Sequence, residues 1–586
     1  MAEFDALIKG GTIIDGTRVP RYRADLGIKN GQIAKVGRLR NSEAAEVIDA
    51  TGRIVAPGVI DLHTHYDAQL HWDPYCTMGS WHGVTSVTIG NCGFGFAPVH
   101  AKDVERAMLS LSRNEAIPLE PMQVSMNFDW ETFPQYMDHL ERLPLGINIS
   151  HLFPIGPAVA YVMGGFDEAK QRFPNEREME EILQHFHGAM DAGAVGWSTQ
   201  RLIPESPEGR GSFQRDYDGT PMITDILPDE FYLTMARALG ERASGFIELM
   251  HATAAASGSG GKFGTSRDLD FCGQLAELSG RPVVFASVVV NDRMLEIQEA
   301  QLQQIADFNA KGIQVLGHGL TSRMPARMTL EDWNLFDDSP AWRAATVGTL
   351  EEKKAKLSDP KIRHAMREEY ETSTKASDFI FGDLPQYIAR KVRGEGLKAQ
   401  YEGLSVGQIA ERESKHVIDS MLDLSVADNL RTEWEGPAVG AEVENYRQMM
   451  NSPYVLTGLS DGGAHVKFLT AGIYPTEVLA WMARDGGLLS LEEAHFRLSG
   501  LMAWAGGFKD RGTLREGLAA DIIVYDLDEL EALPDEVVYD LPAGEWRRVQ
   551  RAKGYRQILV NGQTIFEDGK CTGATPGKLL RHGERR

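Results

Sequence analysis

The sequence predicts an α/β protein: a (β/α)8, TIM-type barrel carrying a small β-sandwich domain built from both chain termini. Three observations predict it. The middle of the chain alternates apolar strand-like runs with amphipathic helical patterns, the two ends share short β-runs separated by turn residues, and metal-competent residues close several of the middle strands. Repeated βα units lead to a parallel sheet with helices outside it, and such barrels carry their chemistry at the carboxyl ends of the strands.

Composition bounds the partners. With 586 residues, 42% hydrophobic and 24% charged, the chain is long enough for a large core and more than one domain. A net charge of -23 leaves nothing to neutralise a run of phosphates, which argues against nucleic acid. The opening Met1 to Lys9 has acids where a secretory leader needs a basic region, and no apolar run reaches membrane-spanning length. The expectation is a cytoplasmic protein with a small-molecule substrate and no membrane partner; its composition is compatible with a homo-oligomer. Cys76, Cys92, Cys272 and Cys571 are too few and too scattered for a disulfide framework, so each is expected as a thiol.

In chain order, residues 4–57 are short β-like runs punctuated by Gly10-Gly11, Asp15-Gly16 and Asn30-Gly31. The same grammar returns in Ala520 to Asp526 and Gln557 to Gly569. Residues 1–57 and 508–586 are therefore assigned to one β-sandwich domain, with residues 58–507 as a barrel domain inserted between its halves. Strand-like runs at 54–62, 84–90, 145–150, 194–198, 245–249, 282–290, 313–317 and 454–460 make eight, with helical patterns such as Glu178 to Ala189, Pro228 to Arg242 and Gln298 to Ala310 between them. A charged, helix-rich stretch at about 325–450 reads as an insertion before the eighth strand: a lid, an oligomer contact or a solvated helical face.

The candidate site follows from the strand ends. The run Ile54 to Ile60 leads into Asp61-Leu62-His63-Thr64-His65, where residues two apart share a face, so His63 and His65 point the same way. A lone His-x-His is more often a hydrogen-bonded strand end than a ligand pair. Here the second strand ends in Asn91-Cys92-Gly93, the third in His151 and the eighth in Ser460-Asp461-Gly462, with His465 beyond. Zinc accepts mixed nitrogen, sulfur and oxygen donors, and a metal lowers a thiol's pKa, so Cys92 becomes a credible thiolate ligand beside the two imidazoles. Ser257 to Gly264 lacks the spacing of a phosphate-binding loop and reads as a loop, and Ser490 with Glu493 fits a capping box. Trp72, Trp81 and Trp197 suit either a pocket wall or the core.

Taken together, Ile8-Lys9-Gly10-Gly11-Thr12-Ile13-Ile14-Asp15-Gly16, Ala56-Pro57-Gly58-Val59-Ile60-Asp61-Leu62-His63-Thr64-His65, Gly90-Asn91-Cys92-Gly93, Ser460-Asp461-Gly462 and Asp510-Arg511-Gly512-Thr513 with Ala520-Asp521 and Val560-Asn561-Gly562 resemble the amidohydrolase superfamily over nearly the whole length. Asn91-Cys92-Gly93 narrows the resemblance to the N-acyl-D-amino-acid deacylase (D-aminoacylase) branch. The resemblance implies one or two zinc ions, another divalent metal being an alternative, with His63, His65 and Cys92 as ligands. It implies Asp461 as the catalytic carboxylate, also placed to ligate, and hydrolysis of an N-acyl-D-amino acid. The branch also draws histidines from the fifth and sixth strands. Here the fifth ends in His251, one position off the expected register with Glu248 competing for the inward place, and the sixth has none. His251 is kept as a ligand or a neighbour of one, with His318 and His465 as lesser candidates, and a mononuclear site is an alternative to a binuclear one. In the expected mechanism a metal-activated water attacks the amide, Asp461 transfers the proton to the leaving nitrogen, and His151 stabilises the oxyanion. The same hydroxide serves a cyclic amide, carbamate, ester or lactone, and a non-catalytic metal-deficient relative is the third reading.

Overall fold

The computed structural model describes residues 2–204, 206, 214–253, 266–292, 295–332, 336–337, 339–373 and 381–582. The loop expected at Ser257 to Gly264 lies outside them. The chain opens with β1 (Phe4–Ile13), β2 (Tyr22–Lys29), β3 (Gln32–Gly37), β4 (Ala44–Asp49) and β5 (Ile54–Pro57), and then β6 (Val59–Asp61). The apolar run at 54–62, expected as one barrel strand, is thus two strands in two different sheets. Gly58 is the joint. A Cβ there would lie 2.2 Å from Thr85 Oγ1, so only glycine lets the chain cross this close to the neighbouring strand.

The central strands are β6, β7 (Val84–Ile89), β8 (Asn148–His151), β9 (Phe153–Pro154), β10 (Gly196–Ile203), β11 (Phe246–Thr253), β12 (Val283–Val288) and β13 (Val315–Leu320). After the insertion, which contributes β14 (Met324–Met328), β15 (Ile388–Lys391) and β16 (Glu433–Val439), comes β17 (Val455–Gly458). Parallel pairing runs β6-β7-β8 and, from β9, through β10, β11, β12 and β13 to β17. β8 and β9 are one path interrupted at Leu152. A parallel bridge between Thr64 and Gly462, with the His65 N–H donating to Gly462 O at 2.7 Å, links the segment after β6 to the segment after β17.

Side-chain alternation along these strands sorts their residues into two layers. Ile60, Leu152, Val195, Phe246, Val284, Leu316 and Leu456 pack together with Leu501 and Met502 as one buried cluster drawn from seven of the parallel segments. Two residues further along, the same face of β11 presents Glu248 and that of β13 presents His318. The opposite face of β11, Ile247 and Leu249, joins the larger core shared with the surrounding helices, among them Glu176–Asp191, Asp229–Arg242 and Ser266–Ser279. Trp197 belongs to this outer layer, fully buried and stacked on Tyr232, and so packs in the core.

The insertion is a compact unit with its own core. β16 lies between β14 and β15, and Trp342, Trp434, Tyr387, Leu384, Met421 and Ile409 pack beneath the sheet. C-terminal to β17 come β18 (Ile522–Tyr525), β19 (Glu531–Ala532), β20 (Glu536–Val538), β21 (Arg547–Val549), β22 (Ala552–Lys553), β23 (Tyr555–Val560), β24 (Gln563–Glu567) and β25 (Lys570–Cys571). Arg548 on β21 reaches back to Glu433 of β16 and to Asp535, and Arg390 of β15 also pairs with Asp535 and with Glu435, so buried charges bolt the insertion to the C-terminal segment.

Both chain ends share one mixed sheet of nine strands, ordered β25-β24-β23-β18-β5-β1-β2-β3 with β4 on β1. Strand pairing is continuous through β1, which changes partners along its length. Phe4 to Lys9 pair with β4, whereas Thr12 and Ile13 pair with β5, and the register slips between Ile8 and Gly11. Gly10 takes φ +74° at the bend, and a Cβ on Gly11 would sit 2.5 Å from Val55 Cγ2. The bend gathers Ile8, Ile13, Leu26, Ile28, Val55, Ile522, Val524 and Leu559 into a core of their own.

The chain beyond β10 is tied down by a buried ion cluster. Asp216 accepts from Arg106 Nη2, Ser110 Oγ and the Tyr217 N–H, each at 2.7 Å, and also pairs with Lys170. Burial raises this carboxyl, but Arg106 and Lys170 more than offset that and hold it at about 2, below the ordinary 3.8. A depressed folded-state pKa contributes stability above the unfolded value that is lost as pH falls through the folded one, here on the order of 2 kcal/mol. Asp216→Asn should therefore unfold at lower temperature than the native chain at neutral pH, and the gap in a calorimetric scan should narrow as pH drops from about 4 towards 2.

Candidate active site

The site grows from the carboxyl ends of the parallel strands. After β6 the His63 N–H donates to Asp61 Oδ1 at 3.1 Å and Thr64 Oγ1 to Thr88 O at 2.8 Å. These bonds fix the bend at Leu62 and the segment after it, with the His63 and His65 rings 5.5 Å apart at 78°. After β7, Gly90 at φ +74° turns the chain, and the Asn91 side-chain amide donates to Thr64 O and Thr88 O at 3.1 and 2.8 Å. Cys92 follows with φ +56°, a conformation that costs a non-glycine residue about 1–2 kcal/mol and is held here by its N–H donating to Glu248 Oε2 at 2.7 Å. Asp461, three residues past β17, is likewise left-handed at φ +48°.

These segments converge. His63, His65 and Cys92 are buried and place donor atoms within 4.8 Å of one another. Cys92 Sγ lies 3.5 Å from His63 Nε2, and Asp461 Oδ1 lies 3.3 Å from His63 Nε2 and 3.9 Å from His65 Nε2. Zinc bonds of roughly 2.0–2.1 Å to nitrogen or oxygen and 2.3 Å to sulfur put tetrahedral donors about 3.3 Å (N to O) and 3.5 Å (N to S) apart. His63 Nε2 stands at these separations from Cys92 Sγ and Asp461 Oδ1, and His65 Nε2 is about half an ångström further from Asp461.

The electrostatics point the same way. Four carboxylates surround the imidazoles: Asp67, Glu115, Glu248 and Asp461. Among the described residues their ion pairs are with histidines alone: Asp67 with His151, Glu115 with His65 and His465, Glu248 with His63, and Asp461 with His63 and His65. Burial pushes Asp461 and Asp67 up to about 7 and Glu248 up to about 8, and raises Glu115 and the Cys92 thiol well above their ordinary values. It drives His63 well below the ordinary imidazole value and His65 down to about 3. Neutral imidazoles are the ligating form, and a bound cation would reverse the shift of the thiol and carboxyls. Asp461 alone of the four carboxylates keeps appreciable side-chain exposure, 29%, and with Tyr66 and Ser460 it borders a small pocket of about 20 Å³.

The remaining sequence candidates fall elsewhere. His151 ends β8, with Nδ1 on Leu152 O at 2.5 Å, Nε2 3.7 Å from Asp67 Oδ1, and its ring against Phe133 and Tyr136. It therefore adjoins the site through Asp67. His251 is not brought to the group at all. Strand alternation turns Glu248 and Met250 inward and His251 outward, where Nδ1 meets Arg201 O at 2.9 Å, Nε2 stands 3.6 Å from Asp268 and the ring packs on Phe271. The one-residue register question is thus resolved for Glu248. His318 faces inward, its ring 5.8 Å from that of His63, and accepts the Leu459 N–H at Nε2. Glu115 was invisible to sequence reasoning: it follows the helix Val104–Asn114 on a loop without motif, and the His465 N–H donating to its carbonyl at 2.6 Å is a tertiary contact.

A parallel βα fold with buried His63, His65 and Cys92 at its strand ends, and Asp461 beside them, defines a metallohydrolase-type scaffold. A model described as "Amidohydrolase family" matches residues 46–203 and 253–566, and the chain belongs to that family, in its D-aminoacylase branch. It is 26% identical over 98% of its length to the D-aminoacylase of Alcaligenes xylosoxydans xylosoxydans, spanning 97% of that protein. An uncharacterised protein of Mycobacterium tuberculosis is 27% identical over 99% of this chain and 96% of its own length. In fold it is similar to the N-acyl-D-glutamate deacylase of Bordetella bronchiseptica, solved with zinc and a phosphonate inhibitor, at TM-score 0.67, 22% identity and 99% coverage of both chains.

Two substitutions separate the inward from the outward residues. Cys92→Ala should lose the metal measured by elemental analysis of the purified protein. His251→Ala should retain it and instead lose about 1–3 kcal/mol of stability, through the unpaired Arg201 carbonyl and the void beside Phe271.

Proposed function

We propose that this chain is a zinc-dependent hydrolase that cleaves the amide bond of an N-acyl-D-amino acid. The observation that carries the proposal is the convergence of the buried donor atoms of His63, His65 and Cys92 within 4.8 Å of one another, with Asp461 Oδ1 3.3 Å from His63 Nε2. The names of the full-length relatives, D-aminoacylase and N-acyl-D-glutamate deacylase, support the substrate class. In this reading the eight parallel strands form a closed (β/α)8 barrel, a closure supported by the bridge from Thr64 to Gly462.

When bound, a divalent ion of this kind supplies an acidified water and polarises a carbonyl. His63 and His65, in a segment held by Asp61 and Thr88, would present neutral nitrogens to it, and Cys92 would contribute sulfur from its constrained turn. Asp461 stands beside these donors with its carboxylate open to the adjoining cavity, placed to accept a proton from water and return it to the leaving nitrogen. His151, paired with Asp67 at the end of β8, is kept as the candidate for stabilising the oxyanion.

The test begins with metal content and hydrolysis of paired N-acyl-D- and N-acyl-L-amino acids. At least one zinc per chain, D-selective release of the free amino acid, loss of turnover on chelation and its return on adding zinc are expected. Asp461→Asn should keep most of its metal while kcat falls about 10²–10⁴-fold. Full turnover in that variant, or hydrolysis indifferent to chelator, would overturn the mechanism.

A further inference from the structure

Glu248 touches more of the donor set than any other residue outside it, and the mechanism above gives it no part. It is 0% exposed and lies on the inward face of β11. Its Oε2 accepts the Cys92 N–H at 2.7 Å, and its Oε1 stands 3.4 Å from His63 Nδ1. Oε1 and Nδ1 are both buried and have no other hydrogen-bond partner among the described residues. A buried polar atom left in that state is costly, so each is the natural partner of the other, and a shift of a few tenths of an ångström closes the bond.

The direction of that bond decides what His63 can do. Its Nε2 faces Cys92 Sγ at 3.5 Å and Asp461 Oδ1 at 3.3 Å, on the far side of the ring from Glu248. An ionised carboxylate only accepts, so Oε1 calls for a proton on Nδ1 and leaves the Nε2 lone pair facing the other donors. Through its other oxygen the same carboxylate holds Cys92 in the left-handed turn that aims its sulfur. We infer that Glu248 is a positioning residue for the metal centre, one carboxylate fixing both the tautomer of His63 and the backbone of Cys92. This rests on the metal-centre reading, and it assigns the fifth strand a supporting carboxylate.

The test compares the full-length native chain, Glu248→Gln and, as a control on the outward face of the same strand, His251→Ala. Zinc affinity is read by competition with a chromophoric chelator, the fold by thermal melting, and the thiolate by the charge-transfer absorption of the cobalt-loaded protein. Gln can keep one of the two bonds but not both, so zinc affinity should fall about 10–100-fold. The cobalt–thiolate band should shift, and His251→Ala should change neither. A melting loss with unchanged zinc affinity and an unmoved band would make Glu248 a packing residue and overturn the inference, leaving the metal centre intact. Absence of zinc binding in the native chain would overturn the metal-centre reading itself. Should Glu248→Gln fail to fold, nitrogen-detected NMR of the zinc-loaded native chain decides: a proton on His63 Nδ1 is expected, and one on Nε2 excludes the role.

Discussion

The constraint on which this architecture turns is the burial of negative charge. Asp67, Glu115, Glu248 and Asp461 meet around the histidine rings and Cys92, and their described ion pairs go to imidazoles that burial keeps neutral. Ionised carboxylates removed from water cost several kcal/mol each unless a cation or strong hydrogen bonds answer them. The divalent ion proposed for this site would answer them. Much of the surrounding structure secures the pocket that would receive it: the Asn91 amide tying two strand ends together, the bridge from Thr64 to Gly462, and the two left-handed residues at the rim.

The apolar layer beneath is the other half of that arrangement. Phe246, Val284, Leu316 and Leu456 fill the floor, and two residues later the same faces of β11 and β13 carry Glu248 and His318. Strand periodicity converts a position in the sequence into a position in the site with no latitude, because a slip of one residue reverses the face. His251 illustrates the penalty: a chemically suitable ligand one place out of phase becomes a partner of Arg201 and Asp268 in the outer layer.

Much of this was legible in the sequence because the relevant signals are local. His63 and His65 share a face by the two-residue period, and Cys92 and Asp461 each follow an apolar run that can only be a buried strand. The shared turn grammar of the two ends anticipated that they pair. What was hidden depends on distance in the chain. Glu115 enters through a loop whose placement is set by His465, some 350 residues later. The division of residues 54–62 between two sheets turns on the contact between Gly58 and Thr85, and the bend of β1 on the fit of Gly11 against Val55. The parity of β11 needed a register that its own residues leave ambiguous.

The interleaved terminal sheet has a consequence for how the molecule comes into being. β5 lies between β1 and β18, with β23 on the far side of β18, and Asp461 reaches His63 only once β17 is in place. A ribosome releases these partners hundreds of residues apart, so the first strands made wait for the last, and the donor set stays incomplete until most of the polypeptide has emerged. In the proposed reading metal capture would thereby be a late event in biogenesis, and a truncated chain, lacking the eighth strand, would never bring Asp461 to His63.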